Sequence, residues 1–185
     1  MKKIILASKS PRRKELLETL QIPFSIEVSN TREEWLPNLS PMENSLRIAK
    51  EKAEVIWKKY PDSIVIASDT IVVKDYQVFG KPKNQEEARC MLAELSNSVH
   101  QVYTSLVVQS DQQILSDLSI SDVYFMKIPS NDLEEYLQGK EWIDKAGGYA
   151  IQGWAARYIS KIDGDYYAIM GLPISKVNSF LKEVL

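Results

Sequence analysis

Ser63 to Pro82 reads SIVIASDTIVVKDYQVFGKP, and the succession of residue types in this stretch decides the architecture. Ile64-Val65-Ile66-Ala67 is short, apolar throughout and largely β-branched, the composition of a strand covered on both faces. Ile71-Val72-Val73 resumes the same pattern, so Ser68-Asp69-Thr70 reads as a bend between two halves of one extended element. Asp69 thus emerges from the core. A carboxylate placed there loses hydration, a cost of several kcal/mol unless cations, a metal or hydrogen bonds replace the water. Two readings follow: an acid in a reactive site, or an Asp that ties down the bend by accepting from backbone N–H groups. Lys81, between Gly80 and Pro82, lies in a stiff loop able to bring a cation back over the same strand end.

The 185 residues around this stretch, 44% of them hydrophobic, suffice for a proper core. They imply one domain over residues 1–185, with two lobes around a cleft as its simplest subdivision. Lys and Arg number 23 against 25 Asp and Glu, a balance of -2 that offers no general attraction to nucleic acid or to an anionic membrane. Met1-Lys2-Lys3 opens like a signal peptide, but Ile4–Ala7 is far shorter than the roughly 7–15 apolar residues such a segment needs. No stretch approaches the roughly 20 apolar residues of a membrane span. A cytoplasmic chain is expected.

The single Cys90 excludes an intrachain disulfide and is expected to pack within a helix. The single His100 leaves a His/Cys zinc site nearly impossible and obliges any Ser-His-Asp or Cys-His arrangement to run through it. Its polar neighbours favour a structural role. A metal in this chain would take carboxylates, hydroxyls and substrate oxygens, which suit Mg²⁺ or Mn²⁺.

Lys3 to Ala7 reads as a first strand, and Ser8-Lys9-Ser10-Pro11 turns it into a helix over Arg12 to Leu20, with Ser10 as N-cap. Strand, tight polar turn and helix point free backbone N–H groups at an anion. Arg12 and Arg13 in the first turn oppose the helix dipole by about 0.3–1 kcal/mol each. Either they serve an anion or they point to solvent. Phe24 to Ser29 alternates weakly as a second strand, and Glu33 follows in a loop. Ser40-Pro41-Met42-Glu43 is a capping box opening a helix to about Lys59, with Leu46, Ala49, Ala53, Ile56 and Trp57 on one face. Lys52 flanks that stripe, from which a long side chain either snorkels into a cleft or stays in solvent.

Asn84 caps a helix with Ala88, Met91, Leu92 and Leu95 inward. Val99–Gln109 and Ile114–Lys127 form a hairpin, and a short helix from Asn131 stops at Gly139. The segment from Trp142 to Gly153 has neither P-loop nor dinucleotide spacing, so its glycines serve positive φ or close backbone approach. Arg157–Ile162 and Tyr166–Met170 flank Asp163-Gly164, a two-residue hairpin signal. A final amphipathic helix places Ile174, Val177, Leu181 and Val184 inward. Strands interleaved with helices and at least two hairpins imply an α/β fold with a mixed central sheet flanked by helices.

ILASKSPRRKELL, AKEKA around Lys52, ASDTIVV followed by GKP, and DKAGGYAIQG with GDYYAIMGLP, in that order over nearly the whole chain, closely resemble the Maf family of nucleoside triphosphate pyrophosphatases. The resemblance implies an inosine-triphosphatase-like fold with a cleft between two lobes. It also implies hydrolysis of a nucleoside triphosphate between the α and β phosphates with a divalent cation, Mg²⁺ or Mn²⁺, and suggests a homodimer. By the same resemblance Ser8, Arg12, Arg13, Lys52 and Lys81 supply donors and cations to the phosphates. Asp69 matches the family's proton acceptor, and Glu33 its other acidic position as a metal ligand alongside Asp69. Their roles could be exchanged, since either acid could hold Mg²⁺ and either could take a proton.

The family has a branch acting on dTTP and UTP and another on 7-methyl-GTP, distinguished where this chain has Arg12, Thr70 and Gln152. The second branch carries Trp, Gln and Glu there; Trp would stack on a cationic methylated purine, and Glu could only accept hydrogen bonds. Gln152 can donate to O4 of a thymine or uracil while accepting from N3–H. The expected substrates are therefore dTTP and UTP, modified pyrimidine triphosphates among them. The alternatives are a purine or 7-methyl-GTP pyrophosphatase, a nucleotide-binding regulator of septum formation, and an inactive fold member. The chain departs from the family at Arg32-Glu33-Glu34-Trp35, where an Asp-Glu pair is frequent, and at Ala168, where Asn is frequent.

Overall fold

A computed structural model describes residues 2–185. Its element order is β1 (Ile4–Ala7), α1 (Pro11–Glu18), β2 (Ser25–Glu27), α2 (Pro41–Lys59), β3 (Ile64–Lys74), β4 (Gln77–Phe79), α3 (Gln85–Leu95), β5 (Val99–Gln109), β6 (Ile114–Phe125), α4 (Ser130–Gln138), β7 (Ile159–Asp163), α5 (Tyr166–Met170) and α6 (Ile174–Val184). Short 3-10 turns at Ala146–Gly148 and Trp154–Tyr158 precede β7.

The strands form one sheet in the order β2-β1-β3-β5-β6-β7, with β4 paired to β3 outside that path. β1 runs parallel to both β2 and β3, with Ile5 opposite Ser25 on one side and Val65 on the other. β4 returns antiparallel along β3, with Val72 opposite Phe79, and β7 runs antiparallel to β6. The sheet is therefore mixed, as the sequence implies. Ile64 to Ala67 is fully buried, which explains its apolar run: a parallel strand under helices has no solvent face.

By backbone proximity the chain divides into two compact units, and β3, β5 and β6 each contribute residues to both. The first holds residues up to Thr70, with Thr104–Ser119 and Gly171–Leu185. Its core joins Ile5, Ala7, Val65 and Ala67 of the sheet to Ala49, Ala53 and Ile56 of α2. The second holds Ile71–Tyr103 and Ile120–Met170. Its core is aromatic, with Phe125, Tyr136, Tyr149 and Tyr158 around Leu92 and Leu95 of α3. No helix among the described residues is long and apolar enough to cross a membrane.

Three expectations need correction. β3 runs unbroken through Ser68-Asp69-Thr70. The three polar side chains alternate between the two strand faces, where hydrogen-bonding partners meet each of them, so the backbone has no need to bend. Secondly, Tyr166–Met170 is helical, and Asp163-Gly164 closes no hairpin. Asp165 accounts for this: its carboxylate accepts from the N–H groups of Tyr167 (2.8 Å) and Ala168 (3.2 Å), an N-cap that outweighs the turn signal before it. Thirdly, Cys90 lies on the exposed side of α3, whose inward residues are Ala88, Leu92 and Leu95.

His100 has the expected structural role. It is buried in the second unit, its Nε2 lies 2.6 Å from the Tyr149 hydroxyl, and its ring meets Phe125 edge-on. Burial, aided by the Lys74 charge, lowers its pKa to about 3 from an ordinary 6.5. The unfolded chain therefore binds a proton between those values that the folded chain refuses, so stability falls as pH drops through that window. The expected slope from this group is up to about 1.4 kcal/mol per pH unit. His100→Gln should lose this part of the acid sensitivity in thermal melts between pH 6.5 and 4; an unchanged pH dependence would contradict it.

Candidate active site

α1 begins where the sequence places it. Ser10 is the N-cap, its hydroxyl accepting from the Arg13 N–H, and Pro11 opens the first turn. Ser8, buried in the preceding turn, accepts from the Ser10 N–H at 3.1 Å. Arg13 turns inward rather than to solvent: Nε donates to the Gly171 carbonyl at 2.8 Å and Nη2 to the Thr70 hydroxyl at 3.0 Å. Burial lowers the Arg13 pKa, while the charges of Asp69 and Glu33 act in the opposite sense. Arg12, half-exposed one residue earlier, makes no ion pair among the described residues.

On the other face of β3, Asp69 meets α2. Lys52 is buried on that helix, and its ammonium donates to Asp69 Oδ1 at 2.9 Å and reaches Glu33 Oε1 at 2.8 Å. The Lys52 and Asp69 side chains are each 9% exposed, whereas Glu33 is 45% exposed. A buried carboxylate is thus held by a buried cation, with a second, accessible carboxylate on the same cation.

The loop carrying Glu33 is fixed by α2. Asn44, fully buried, donates from Nδ2 to the carbonyls of Leu36 and Leu39 and accepts at Oδ1 from the Leu36 N–H. Arg47 Nη2 donates to the Glu34 carbonyl. The capping box at Ser40 and Glu43 sets where α2 starts and so which residues face the sheet.

Thr70 is half-buried, and its hydroxyl also lies 3.2 Å from that of Thr104 on β5. Ser68, on the same strand face, donates to the Gly171 carbonyl at 2.9 Å, the acceptor that Arg13 also uses. The first unit therefore gathers Arg13 and Thr70 on one face of β3 and Glu33, Lys52 and Asp69 on the other, while Ser8 bonds only within its own turn. Lys81 and Gln152 belong to the second unit, and both are exposed. Lys81 makes no ion pair among the described residues. Its turn is tied down where the Gly80 carbonyl accepts from the Gly147 N–H at 3.0 Å. Gly147, at φ 67°, is where a side chain would be strained, and its Cβ would crowd Val72 and Leu95.

Sequence reasoning passed over Thr104, Ser68, Asn44 and Glu141. Asn44 carried the clearest signal, an amide on the buried face of a helix beside Ile48, Ala49 and Ala53. Thr104 had none beyond its place in an alternating strand.

Among the described residues no three His, Cys, Asp or Glu side chains cluster to cage a metal. Glu33 and Asp69 nevertheless reach one ammonium from 2.8 and 2.9 Å, so both can reach one cation. Two carboxylates completed by phosphate oxygens and water are the usual surroundings of Mg²⁺ in a nucleotide site. The donor set fits a divalent ion that arrives with a triphosphate.

A family model described as Maf-like protein matches residues 3–184. Two relatives bear the name dTTP/UTP pyrophosphatase. That of Bacillus velezensis is 45% identical over 182 residues, 98% of this chain and 96% of its own. That of Pyrococcus furiosus is 43% identical over 174 residues, 94% of this chain and 91% of its own. A solved HAM1 protein from Coxiella burnetii aligns over 99% of this chain and 100% of its own with a TM-score of 0.56 at 17% identity, a likeness of fold.

Proposed function

The chain belongs to the Maf-like protein family, and on that premise we propose that it is a nucleoside triphosphate pyrophosphatase that hydrolyses dTTP and UTP to the monophosphate and pyrophosphate. The observation that carries this is Asp69 buried against Lys52, with Glu33 on the same ammonium. Lys52 fixes the direction of the Asp69 carboxylate through its bond to Oδ1. Asp69 takes a proton from the attacking water. The water oxygen then bonds to phosphorus on one side of the α–β anhydride, and the bridging oxygen departs with the other phosphoryl group.

Glu33 and Asp69 would hold Mg²⁺ or Mn²⁺, which when bound withdraws charge from the phosphoryl oxygens. Ser8, Arg12 and Arg13 present donors to the phosphates. Thr70 and Thr104 keep the Arg13 guanidinium in one orientation.

Base choice rests on Gln152, whose amide both donates and accepts, matching O4 and N3–H of thymine or uracil. The names of the relatives agree with this choice. Gln152→Glu leaves only acceptors, and kcat/KM for dTTP should fall about 10–100-fold, through a buried donor–acceptor pair lost on binding. The reading as a whole is tested by steady-state kinetics with dTTP, UTP, GTP and 7-methyl-GTP. The two pyrimidine nucleotides should be hydrolysed with the highest kcat/KM; preference for either purine nucleotide would transfer the chain to the other branch of specificity.

A further inference from the structure

Gln152 is exposed, yet the backbone on either side of it is tightly fixed. Ile151, on its N-terminal side, is 5% exposed and sits in the core of the second unit, and the Gly153 N–H donates to the Ala150 carbonyl at 3.1 Å. On the C-terminal side the Trp154 indole stacks on Tyr136, with ring centroids 4.4 Å apart. The remaining anchor comes from a side chain thirteen residues away. Glu141 Oε1 accepts from the Trp154 N–H at 2.9 Å, so the carboxylate lies directly over Gly153. A Cβ built on Gly153 would fall 1.9 Å from that same oxygen. A side chain at 153 would have to push the acid out of the space it occupies.

We propose that Glu141 is a positioning residue for base selection, acting through the Gly153–Trp154 backbone to aim the Gln152 amide at the base. This rests on the assignment of Gln152 to base recognition made above. Gln152 can discriminate an imide edge only if its amide meets the base in one orientation, since hydrogen bonds weaken steeply as their angle departs from linear. A loop anchored on one side alone would let the side chain sample several orientations, and each base would then find a partial match. The carboxylate and the missing side chain are two halves of one device: Glu141 supplies the acceptor, and Gly153 admits it. A larger residue at 153 would displace the acid and break its bond to Trp154.

Glu141→Gln retains a carbonyl oxygen at the same place and should behave like the parent. Glu141→Ala should retain most of kcat for dTTP, since the Asp69–Lys52 group is untouched, while KM rises about tenfold. The ratio of kcat/KM for dTTP over GTP should fall by a similar factor, and Gly153→Ala should reproduce both changes. Hydrogen exchange at the Trp154 amide, read without substrate, should quicken in Glu141→Ala and Gly153→Ala but not in Glu141→Gln. The inference is overturned if Glu141→Ala lowers kcat/KM for dTTP and GTP equally, or if the Trp154 amide stays protected. A parent protein that shows no preference for dTTP over GTP would instead overturn the role of Gln152, and the exchange data would still report whether the anchor exists.

Discussion

Asp69→Asn should fold with an unchanged near-ultraviolet spectrum and release pyrophosphate from dTTP about 10²–10⁴ times more slowly, the range for loss of a positioned general base. The substitution keeps the shape and one oxygen to accept from Lys52, and it leaves Lys52 a charged partner in Glu33, so the fold should tolerate it. What it removes is the ability of the buried oxygen to take a proton. The fall should appear in kcat with little change in KM, because the amide can still hold water but cannot deprotonate it. A variant within threefold of the parent would show that the base lies elsewhere, and Glu33 would be next to test.

Lys52→Met should cost about 3–5 kcal/mol of stability, because it leaves the Asp69 carboxylate buried beside an uncharged chain. For a chain of this size that lowers Tm by roughly 6–20 °C. The pair itself contributes less than this number suggests: most of the loss is the penalty of an orphaned charge, and Lys52→Met with Asp69→Leu should recover much of it. Activity should be lost in both proteins. If the single variant melted with the parent, Asp69 would have to be better solvated than its 9% exposure indicates.

Much of this arrangement was legible in the residues themselves. The doubly covered strand at Ile64–Ala67, the Ser10 and Ser40 caps and the apolar stripes of α2, α3 and α6 each follow from local periodicity and capping chemistry, and each element stands where those rules put it. The two failures in secondary structure share one cause. At Ser68-Asp69-Thr70 and at Asp163-Gly164-Asp165, polar residues were read for what they do to their own backbone, whereas their effect depends on partners. Asp69 finds Lys52 from a helix seventeen residues earlier and so leaves its strand intact, while Asp165 caps the turn that follows it.

The candidate site divides in the same way. Arg13 could be suspected from its place in the first turn of α1, but its inward course depends on Gly171, which is 158 residues away. Lys52 sat at a stripe edge where solvent is the commoner reading, and only the packing of α2 on the sheet puts its ammonium against Asp69. Glu141 carried no local sign of a role, because the space it fills is defined by a glycine twelve positions on. Contacts between distant segments are what a single sequence leaves unwritten.

The central claim is that the acid on β3 serves the cleavage of one particular anhydride bond. Purified protein with Mg²⁺ and dTTP, its products separated by anion-exchange chromatography, tests this most directly. Thymidine monophosphate and pyrophosphate in equal amounts are the expected result; thymidine diphosphate with orthophosphate would contradict it.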